Sequence, residues 1–310
     1  MSKTCLICSR STDNDIEYHA RCSKIFFGVF PPPILDLTLE NVQDFAAKSI
    51  LSRITVTGVQ KKLSLGIEES GNSTRLTVVG LWGKFILKPP SDEYPDLPEN
   101  EDTIMNMASV INIPVVPHAM IRLLSGELAY ITRRIDRDED DWKIAMEDFC
   151  QISERLTEDK YKGSVERIGK LLRKHSIYPG LDIIDLFERV VFNFIAGNSD
   201  MHLKNYSLIE TPKGMRLSPA YDLLSTVLVI PEDWEESALT INGKKSNLKK
   251  ADFNTLAESM GIGQAASLKV YKKIIRAKGK LTDVIDSGRL PKVMKKRLKE
   301  IIEIRMSIFE

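Results

Sequence analysis

Residues 194–208 read FIAGNSDMHLKNYSL and place an aspartate, a histidine, a lysine and two asparagines directly behind an apolar segment. That segment, LDIIDLFERVVFNFIAG (181–197), repeats large hydrophobic residues at helical spacing, which predicts a buried helix that ends at its final glycine. The segments YSLIE and MRLSP flank TPKG and predict a β-hairpin after the polar stretch. The polar residues are therefore expected in a short loop between a rigid helix and a hairpin.

Asp200 and Asn205 have the D-x-x-x-x-N spacing of the catalytic loop in protein kinases. Phosphoryl transfer needs a carboxylate that orients the acceptor hydroxyl and takes its proton. It also needs oxygen ligands that hold Mg²⁺ against the phosphates of the nucleotide. Asp222, in SPAYDLLS beyond the hairpin, offers a second carboxylate for that metal. The pattern favours a phosphoryl-transfer site.

Two upstream residues extend this pattern. Lys88 ends the apolar strand predicted for FILK, and Glu101 lies in the helix predicted for LPENEDTIMNMASVINI (97–113). An ion pair between them would direct the ammonium group toward the phosphates. A strand lysine, a helix glutamate, a loop aspartate and asparagine, and a metal-binding aspartate follow one another in the order of a kinase fold.

Each of these residues has a simpler interpretation when it is taken alone. An aspartate and an asparagine five positions apart are typical of a solvated loop. Lys88 alone suggests a surface lysine, and Glu101 an acidic residue that complements the dipole of its helix. Asp222 alone could cap a helix that begins at LLST. The ordered set favours the kinase interpretation over these alternatives.

The remaining polar residues near the motif are less specific. His202 is expected to have a structural or phosphate-contacting role, because the carboxylate of Asp200 fits the catalytic spacing better. Lys204 could offset charge on the transferred phosphoryl group, or be an exposed loop lysine. The segment ITVTGVQKKLSL (54–65) could cover phosphates through backbone N–H groups, but it lacks a G-x-G-x-x-G pattern and suits a plain β-turn as well.

Bulk properties exclude several classes of protein. The 310 residues are 43% hydrophobic and 28% charged, which is ordinary for a globular chain. The net charge of +1 gives no general attraction to nucleic acid. No signal-peptide pattern and no apolar run of membrane-spanning length occur, so we expect a cytoplasmic protein without a membrane partner.

The distribution of strand and helix patterns predicts an α+β, two-lobed fold of the protein-kinase type. Strand patterns dominate from about residue 50 to 88, and two more strands are expected near 119–124 and 127–132. The charged segment RRIDRDEDDW then leads into a mainly helical region. We therefore expect a leader at 1–30, a small strand-rich N-lobe at 31–134 and a larger helical C-lobe at 135–310.

Seven motifs together closely resemble the HipA-like serine/threonine protein kinases of bacterial toxin–antitoxin systems: TVTGVQKKLSL, FILKPP, PENE, TRRIDR, GNSDMHLKN, SPAYDLLST and LTINGKK. The resemblance covers roughly residues 50 to 310. It implies a kinase that uses ATP and Mg²⁺ and phosphorylates a host protein. In known members that protein is an aminoacyl-tRNA synthetase, and its phosphorylation halts translation.

The resemblance also implies roles for individual residues. Asp200 matches the catalytic aspartate, Asn205 and Asp222 match the Mg²⁺ ligands, and Lys88 matches the lysine that contacts the ATP phosphates, with Glu101 as its partner. The positions that fall on the nucleotide-covering loop are Thr57, Gly58, Val59, Gln60, Lys61 and Lys62. Arg133, Arg134 and Ile135 match the hinge that meets adenine. The other positions that match nucleotide-contacting stretches are His202, Leu203, Lys204 and Tyr221.

Regulation and partners are implied in the same way. Family members phosphorylate one of their own serines near the nucleotide-covering loop, and the matching positions here hold Thr55 and Thr57. The chain resembles compact members whose missing N-terminal subdomain is a separate small protein. A DNA-binding antitoxin is then expected as a further partner, with no direct contact between this chain and nucleic acid.

The leader contains a separate pattern. CLIC and HARC give a C-x₂-C pair followed by H-x₂-C, formed by Cys5, Cys8, His19 and Cys22. Three thiolates and one imidazole can complete a tetrahedral Zn²⁺ site. The alternative is that Cys22 and His19 pack against KIFFG and that the cysteines stay reduced. Cys150 is expected to be a small core residue.

The proposed activity is therefore serine/threonine protein phosphorylation by a toxin, with possible autophosphorylation. A second enzymatic interpretation is a small-molecule phosphotransferase, because antibiotic kinases share the lobe order and the loop spacing. A third is a catalytically idle regulator that binds an antitoxin and its operator.

Overall fold

The computed structural model of the chain describes residues 4–13, 16–51, 62–71, 73–80, 82–91, 93–94, 96–230, 232 and 234–310, with the backbone alone for 46–51 and Ser70. These residues form two compact units. The first consists of Met1–Asp102, Val116–Lys143 and Ser287–Arg289, and the second of Thr103–Val115, Ile144–Asp286 and Leu290–Glu310. The predicted boundaries at residues 30 and 134 stay a prediction.

The first unit is built on a five-stranded sheet in which every neighbouring pair is antiparallel, with strand order β2-β1-β3-β5-β4. Alternation of apolar and polar residues places Leu63 and Leu65 of β1 in the core. Its elements are α1 (Ala20–Phe27), α2 (Leu39–Leu51), β1 (Leu63–Ser70), β2 (Ser73–Val78), β3 (Phe85–Lys88), the start of α3 (Leu97–Val110), β4 (His118–Arg122) and β5 (Leu128–Arg133).

The second unit is mainly helical and contains a small three-stranded antiparallel sheet, in the order β6-β7-β8. Its elements are β6 (Met146–Asp148), α4 (Phe149–Ile152), α5 (Val165–His175), α6 (Pro179–Ala196), β7 (Ser207–Thr211), β8 (Gly214–Leu217), α7 (Thr226–Val229), α8 (Lys250–Ser259), α9 (Gln264–Arg276), α10 (Lys278–Ser287) and α11 (Lys292–Ser307).

Helix α6 is the central element of the second unit, and most of its residues are buried. Phe194, near its end, packs against Phe253 of α8 and Phe309, with ring centroids 5.0 and 5.8 Å away. At its start, the buried Asp182 accepts hydrogen bonds from Arg216 of β8, at 2.5 Å, and from the backbone of Leu217. The helix and the hairpin therefore form one rigid support for the segment that joins them.

The predicted elements occur in the structure. The buried helix, the hairpin, the five strands of the first sheet and the helical tail all appear within a few residues of their predicted positions. Strand β6 was not predicted. None of the helices in the described part of the chain has both the length and the apolar character needed to cross a lipid bilayer.

Candidate active site

The loop behind α6 begins at Gly197, which has a left-handed φ of +76° and ends the helix as predicted. Its carbonyl oxygen accepts a hydrogen bond from the hydroxyl of Thr226, at 3.0 Å. The same hydroxyl oxygen accepts the backbone N–H of Ser199, at 2.8 Å. The start of α7 therefore fixes the path of the loop between the helix and Asp200.

Two asparagines connect the backbone of Asp200 to helix α6. Asn198 donates from its amide to the side-chain oxygen of Asn193 on α6, at 3.0 Å. The side-chain oxygen of Asn198 accepts the backbone N–H of Asp200, at 3.1 Å. Asn193 and Asn198 are 3% and 2% exposed, so this chain of hydrogen bonds is shielded from water. The sequence analysis gave no role to Asn193, since it lies within an otherwise apolar helix.

Asn205 is tied to Asp200 directly. Its amide nitrogen donates to the backbone oxygen of Asp200, at 2.9 Å. A short 3-10 turn, Leu203–Asn205, brings the two residues together. Because the amide nitrogen is engaged in this way, the amide oxygen of Asn205 is the atom that can bind a cation.

Asp222 has a left-handed backbone conformation, with φ of +55°. A non-glycine residue in this region is strained, and such residues concentrate at functional sites. The preceding Tyr221 donates a hydrogen bond to the backbone oxygen of Lys204, at 3.0 Å, and its hydroxyl lies 2.5 Å from that of Ser207. The helix that follows, α7, begins only at Thr226, so the interpretation of Asp222 as a helix cap is wrong.

His202 lies near both Asp200 and Asp222. Its side chain is buried, and burial lowers its pKa below the ordinary value. The negative charges of Asp200 and, more weakly, of Asp222 oppose that shift in pKa, while the charge of Lys160 adds to it. Asp200 and Asp222 therefore both lie close enough to act on one imidazole ring, which is neutral at physiological pH.

Tyr161 is a member of the site that sequence reasoning missed. Its hydroxyl donates to the carboxylate of Asp200, with 2.7 Å between the oxygens. Its ring meets His202 edge to face, at 5.1 Å between centroids. Burial, and then the hydrogen bond to Asp200, raise the pKa of Tyr161. No local pattern could identify this residue, because it lies 39 positions before Asp200.

Lys204 is not the exposed loop lysine that was one of its two interpretations. Its ammonium lies 3.5 Å from a carboxylate oxygen of Asp148, and its side chain is 25% exposed. Asp148 in turn caps α4 by accepting the backbone N–H of Gln151, at 2.9 Å. The ammonium is therefore held beside the loop, and a role toward phosphate stays a prediction.

In the first unit, Lys88 and Glu101 form a buried ion pair with 2.5 Å between nitrogen and oxygen. The side chains are 2% and 1% exposed, so the interpretation of Lys88 as a surface lysine is wrong. The ammonium also lies 5.3 Å from the ring centroid of Tyr130. Two buried charges are expensive to desolvate, so the pair adds little stability of its own and is a candidate for a functional role.

The segment that matches the adenine-binding hinge starts at the end of β5. Arg134 makes a two-pronged contact with Asp136, at 2.8 and 2.6 Å. Burial would raise the pKa of Asp136, but the guanidinium outweighs it and lowers that pKa. Arg133 and Ile135 are half-buried beside this pair. Adenine binding by these residues stays a prediction.

Part of the predicted nucleotide-covering loop lies outside the described residues. This applies to Thr55, a candidate for autophosphorylation, and to the stretch 57–61, which includes the second candidate, Thr57. Lys62 is described, is half-buried and directly precedes β1.

The leader brings its four candidate metal ligands together. One ligand atom from each of Cys5, Cys8, His19 and Cys22 lies within 4.8 Å of the others. Burial opposes ionisation of Cys5, but hydrogen bonds from the backbone of Cys8, His19 and Ile7 lower its pKa to about 7. Cys150, by contrast, is buried away from this cluster, and its thiol contacts the backbone oxygens of Arg155 and Leu156.

Comparison with known proteins places the chain in a family. The model of the HipA-like C-terminal domain matches residues 54–281, most of the chain. The chain belongs to the HipA-like family. Y4mE of Sinorhizobium fredii, which carries a kinase name, is 33% identical to this HipA-like chain over 222 residues, which are 68% of this chain and 52% of Y4mE. The serine/threonine-protein kinase toxin HipA of Shewanella oneidensis is 28% identical over 203 residues, 59% of this chain and 45% of that protein.

Solved structures give the same fold. HipA of Shewanella oneidensis, solved with HipB and operator DNA, superposes with a TM-score of 0.70 at 22% identity, over 84% of this chain and 70% of that one. The kinase CtkA of Helicobacter pylori superposes with a TM-score of 0.56 at 15% identity, over 80% and 94%. The predicted α+β, kinase-like fold is confirmed. The HipA-like chain spans about half the length of the curated relatives that it matches first.

Proposed function

We propose that this HipA-like chain is an ATP-dependent serine/threonine protein kinase that acts in the cytoplasm as the toxin of a toxin–antitoxin system. The observation that carries the proposal is the carboxylate of Asp200, which already accepts a hydrogen bond from a hydroxyl group, that of Tyr161, at 2.7 Å. A carboxylate that binds one hydroxyl at this distance can orient another as a general base. Kinase-named relatives support the same reaction class.

The residues present fit Mg²⁺ and a nucleotide. The amide oxygen of Asn205 and the carboxylate of Asp222 are hard oxygen ligands of the kind that Mg²⁺ prefers. Asn205 is held by its hydrogen bond to the backbone oxygen of Asp200, and Asp222 has a left-handed backbone conformation. Bound Mg²⁺ would supply positive charge to the phosphates of ATP. Lys88, fixed by Glu101, is the residue that we assign to the phosphates of the nucleotide.

Phosphoryl transfer then proceeds in a single step. The hydroxyl oxygen of the acceptor forms a bond to the γ-phosphorus while the bond from that phosphorus to the bridging oxygen of ADP breaks. Asp200 takes the proton of the hydroxyl. His202 packs edge to face against Tyr161 beside this carboxylate, and burial lowers its pKa.

The partners are part of the proposal. HipA of Shewanella oneidensis has been solved with HipB and operator DNA, which supports an antitoxin partner for this chain as well. We propose a DNA-binding antitoxin and a second small protein as partners, and an aminoacyl-tRNA synthetase as the substrate. Self-phosphorylation at Thr55 or Thr57 would be its means of regulation.

The test is to incubate the purified chain with γ-labelled ATP, Mg²⁺ and a cell lysate, and to identify the labelled protein by mass spectrometry. The Asp200→Asn variant should transfer no label, whereas Asp283→Asn, a change at an exposed aspartate of α10, should label as wild type does. Label on small alcohols alone would replace the proposal with a small-molecule phosphotransferase. Equal labelling by wild type and Asp200→Asn, or none by either, would overturn it.

A further inference from the structure

The part of the leader that contains Cys5, Cys8, His19 and Cys22 forms a compact knuckle. It lies outside the residues that match the family. The thiol sulfurs of Cys8 and Cys22 lie 3.4 and 3.8 Å from the same nitrogen of His19, Nδ1. In a tetrahedral zinc site, metal–sulfur and metal–nitrogen bonds of ordinary length put ligand atoms about 3.5–3.8 Å apart. The two distances from His19 to the sulfurs therefore match those of a zinc site, and one ligand atom from each of the four residues lies within 4.8 Å of the others.

The tautomer of His19 is fixed by a second hydrogen bond. Nε2 lies 3.0 Å from the backbone oxygen of Ser11. Since a carbonyl oxygen can only accept, Nε2 carries the proton and Nδ1 presents its lone pair to the two sulfurs. Metal-binding histidines commonly hold their second nitrogen in this way. The imidazole therefore turns Nδ1, the nitrogen without a proton, toward the two sulfurs, as a metal ligand does.

The leader packs against two strands of the five-stranded sheet, β3 and β4. Leu6, between the first two cysteines, accepts the backbone N–H of Met120 on β4, at 2.8 Å, and Tyr18 donates to the backbone oxygen of Met120, at 2.9 Å. The leader therefore lies along strand β4. Behind the knuckle, Phe26 and Phe27 of α1 pack on Phe85 of β3, with ring centroids 5.6 and 5.8 Å away.

Arg289 joins the knuckle to α3. Its guanidinium donates to the backbone oxygen of Cys5, at 2.7 Å, and to the hydroxyl of Ser9, at 3.2 Å. The same group lies 3.5 Å from a carboxylate oxygen of Asp102, the residue next to Glu101. Arg289 therefore connects the cysteine loop to the residue next to Glu101.

We propose that Cys5, Cys8, His19 and Cys22 bind one Zn²⁺ ion that holds the leader in the fold that packs against the five-stranded sheet. Four protein ligands leave no open coordination position, so the metal is structural and takes no part in a reaction. Since the leader is short, the ion supplies folding free energy that its small apolar core lacks.

The experiment measures metal in the purified full-length chain by inductively coupled plasma mass spectrometry. One zinc ion per chain is expected in wild type and in Cys150→Ser, the matched control at the cysteine outside the knuckle. Cys22→Ser should lose zinc. His19→Cys should keep it, because four thiolates also form a tetrahedral site, whereas His19→Ala should bind it more weakly.

Two further measurements use the wild-type protein and do not depend on whether a variant folds. Wild-type protein stripped by a chelator and loaded with Co²⁺ should show the intense visible bands of tetrahedral cobalt bound to thiolates. The stripped protein should also unfold at a lower temperature than the zinc-loaded protein. Wild-type protein without zinc, iron in place of zinc, or equal zinc in wild type and Cys22→Ser would overturn the proposal. None of these readouts depends on kinase activity.

Discussion

The carboxylate of Asp200 is held from several sides independently of any ligand. Its backbone N–H is bound by Asn198, its carbonyl by Asn205, and one carboxylate oxygen by Tyr161. A catalytic base must keep its geometry within a fraction of an ångström, and neighbours of this kind provide that rigidity. The hydrogen bond from Tyr161 can be removed by deleting one hydroxyl group, which leaves the ring in place.

Tyr161→Phe deletes one hydroxyl and keeps the ring against His202. Loss of a hydrogen bond to a charged group is worth roughly 1.5 kcal/mol, so we expect kcat to fall about tenfold. The KM for ATP should not change, since Tyr161 contacts the base. Steady-state kinetics with the identified acceptor measure both constants. An unchanged kcat, or an effect confined to the KM for ATP, would contradict the positioning role.

Lys88 and Glu101 give a prediction about stability. Lys88→Met leaves the carboxylate of Glu101 buried beside an apolar side chain, and should lower the free energy of unfolding by about 3 kcal/mol or more. The double variant Lys88→Met/Glu101→Leu removes both charges and should recover most of that loss without recovering nucleotide binding. Urea unfolding and ATP titration measure the two effects. A double variant as unstable as the single one would contradict this account.

His118 gives a prediction about pH. It is stacked on Tyr130, and burial lowers its pKa to about 4. Because the unfolded chain has the higher pKa, near 6.5, it binds more protons than the folded chain between these values. Stability should therefore fall as the pH drops from about 6.5 toward 4. His118→Gln should flatten this dependence in urea unfolding, whereas His175→Gln, at an exposed position, should not. Equal pH dependence in both variants would argue against it.

Among the elements, α6 and the loop behind it determine where the candidate catalytic residues lie. The helix ends at a residue that must be left-handed, and the carbonyl of that residue is bound by Thr226. The connection therefore has little freedom, and the direction of the loop depends on one glycine.

Gly197→Ala tests that dependence. An added Cβ would lie 2.9 Å from the hydroxyl oxygen of Ser225, and alanine resists a φ of +76°. We expect about 1–2 kcal/mol of lost stability and a larger loss of transfer activity, because Asp200 shifts with the loop. Gly180→Ala, within the first turn of α6 and with open space around its Cβ, is the matched control. Wild-type activity in Gly197→Ala would show that the glycine does not set the loop.

The elements that sequence patterns revealed are those whose signals are local. Helix α6 has its apolar periodicity and its glycine, and the strands of the first sheet alternate or form short apolar runs. Strand β6 is three residues long and exists only through its pairing with β7, so no local pattern marks it. The roles of Tyr161 and Asn193, and the strained backbone of Asp222, likewise depend on tertiary contacts. The motif residues could be proposed from sequence because their spacing matches that of a kinase catalytic loop.

At the scale of the whole chain, the family match and the proposed metal-binding knuckle occupy different residues. The match covers 54–281, and the knuckle lies before it. Kinase chemistry and leader architecture can therefore be tested separately, one by phosphate transfer and the other by metal content. The relatives are matched over about half of their length, so their partners and substrates remain proposals for this chain.

The most direct test of the kinase assignment is the rate of γ-phosphoryl transfer from ATP by purified protein as Mg²⁺ is varied. We predict Mg²⁺-dependent transfer in wild type and in Asp283→Asn. We predict a loss of about a thousandfold or more in Asp200→Asn, which removes the proposed base, and in Asp222→Asn, which removes a proposed metal ligand. Transfer at the wild-type rate in either of the last two variants, or transfer that does not need a divalent cation, would contradict the assignment.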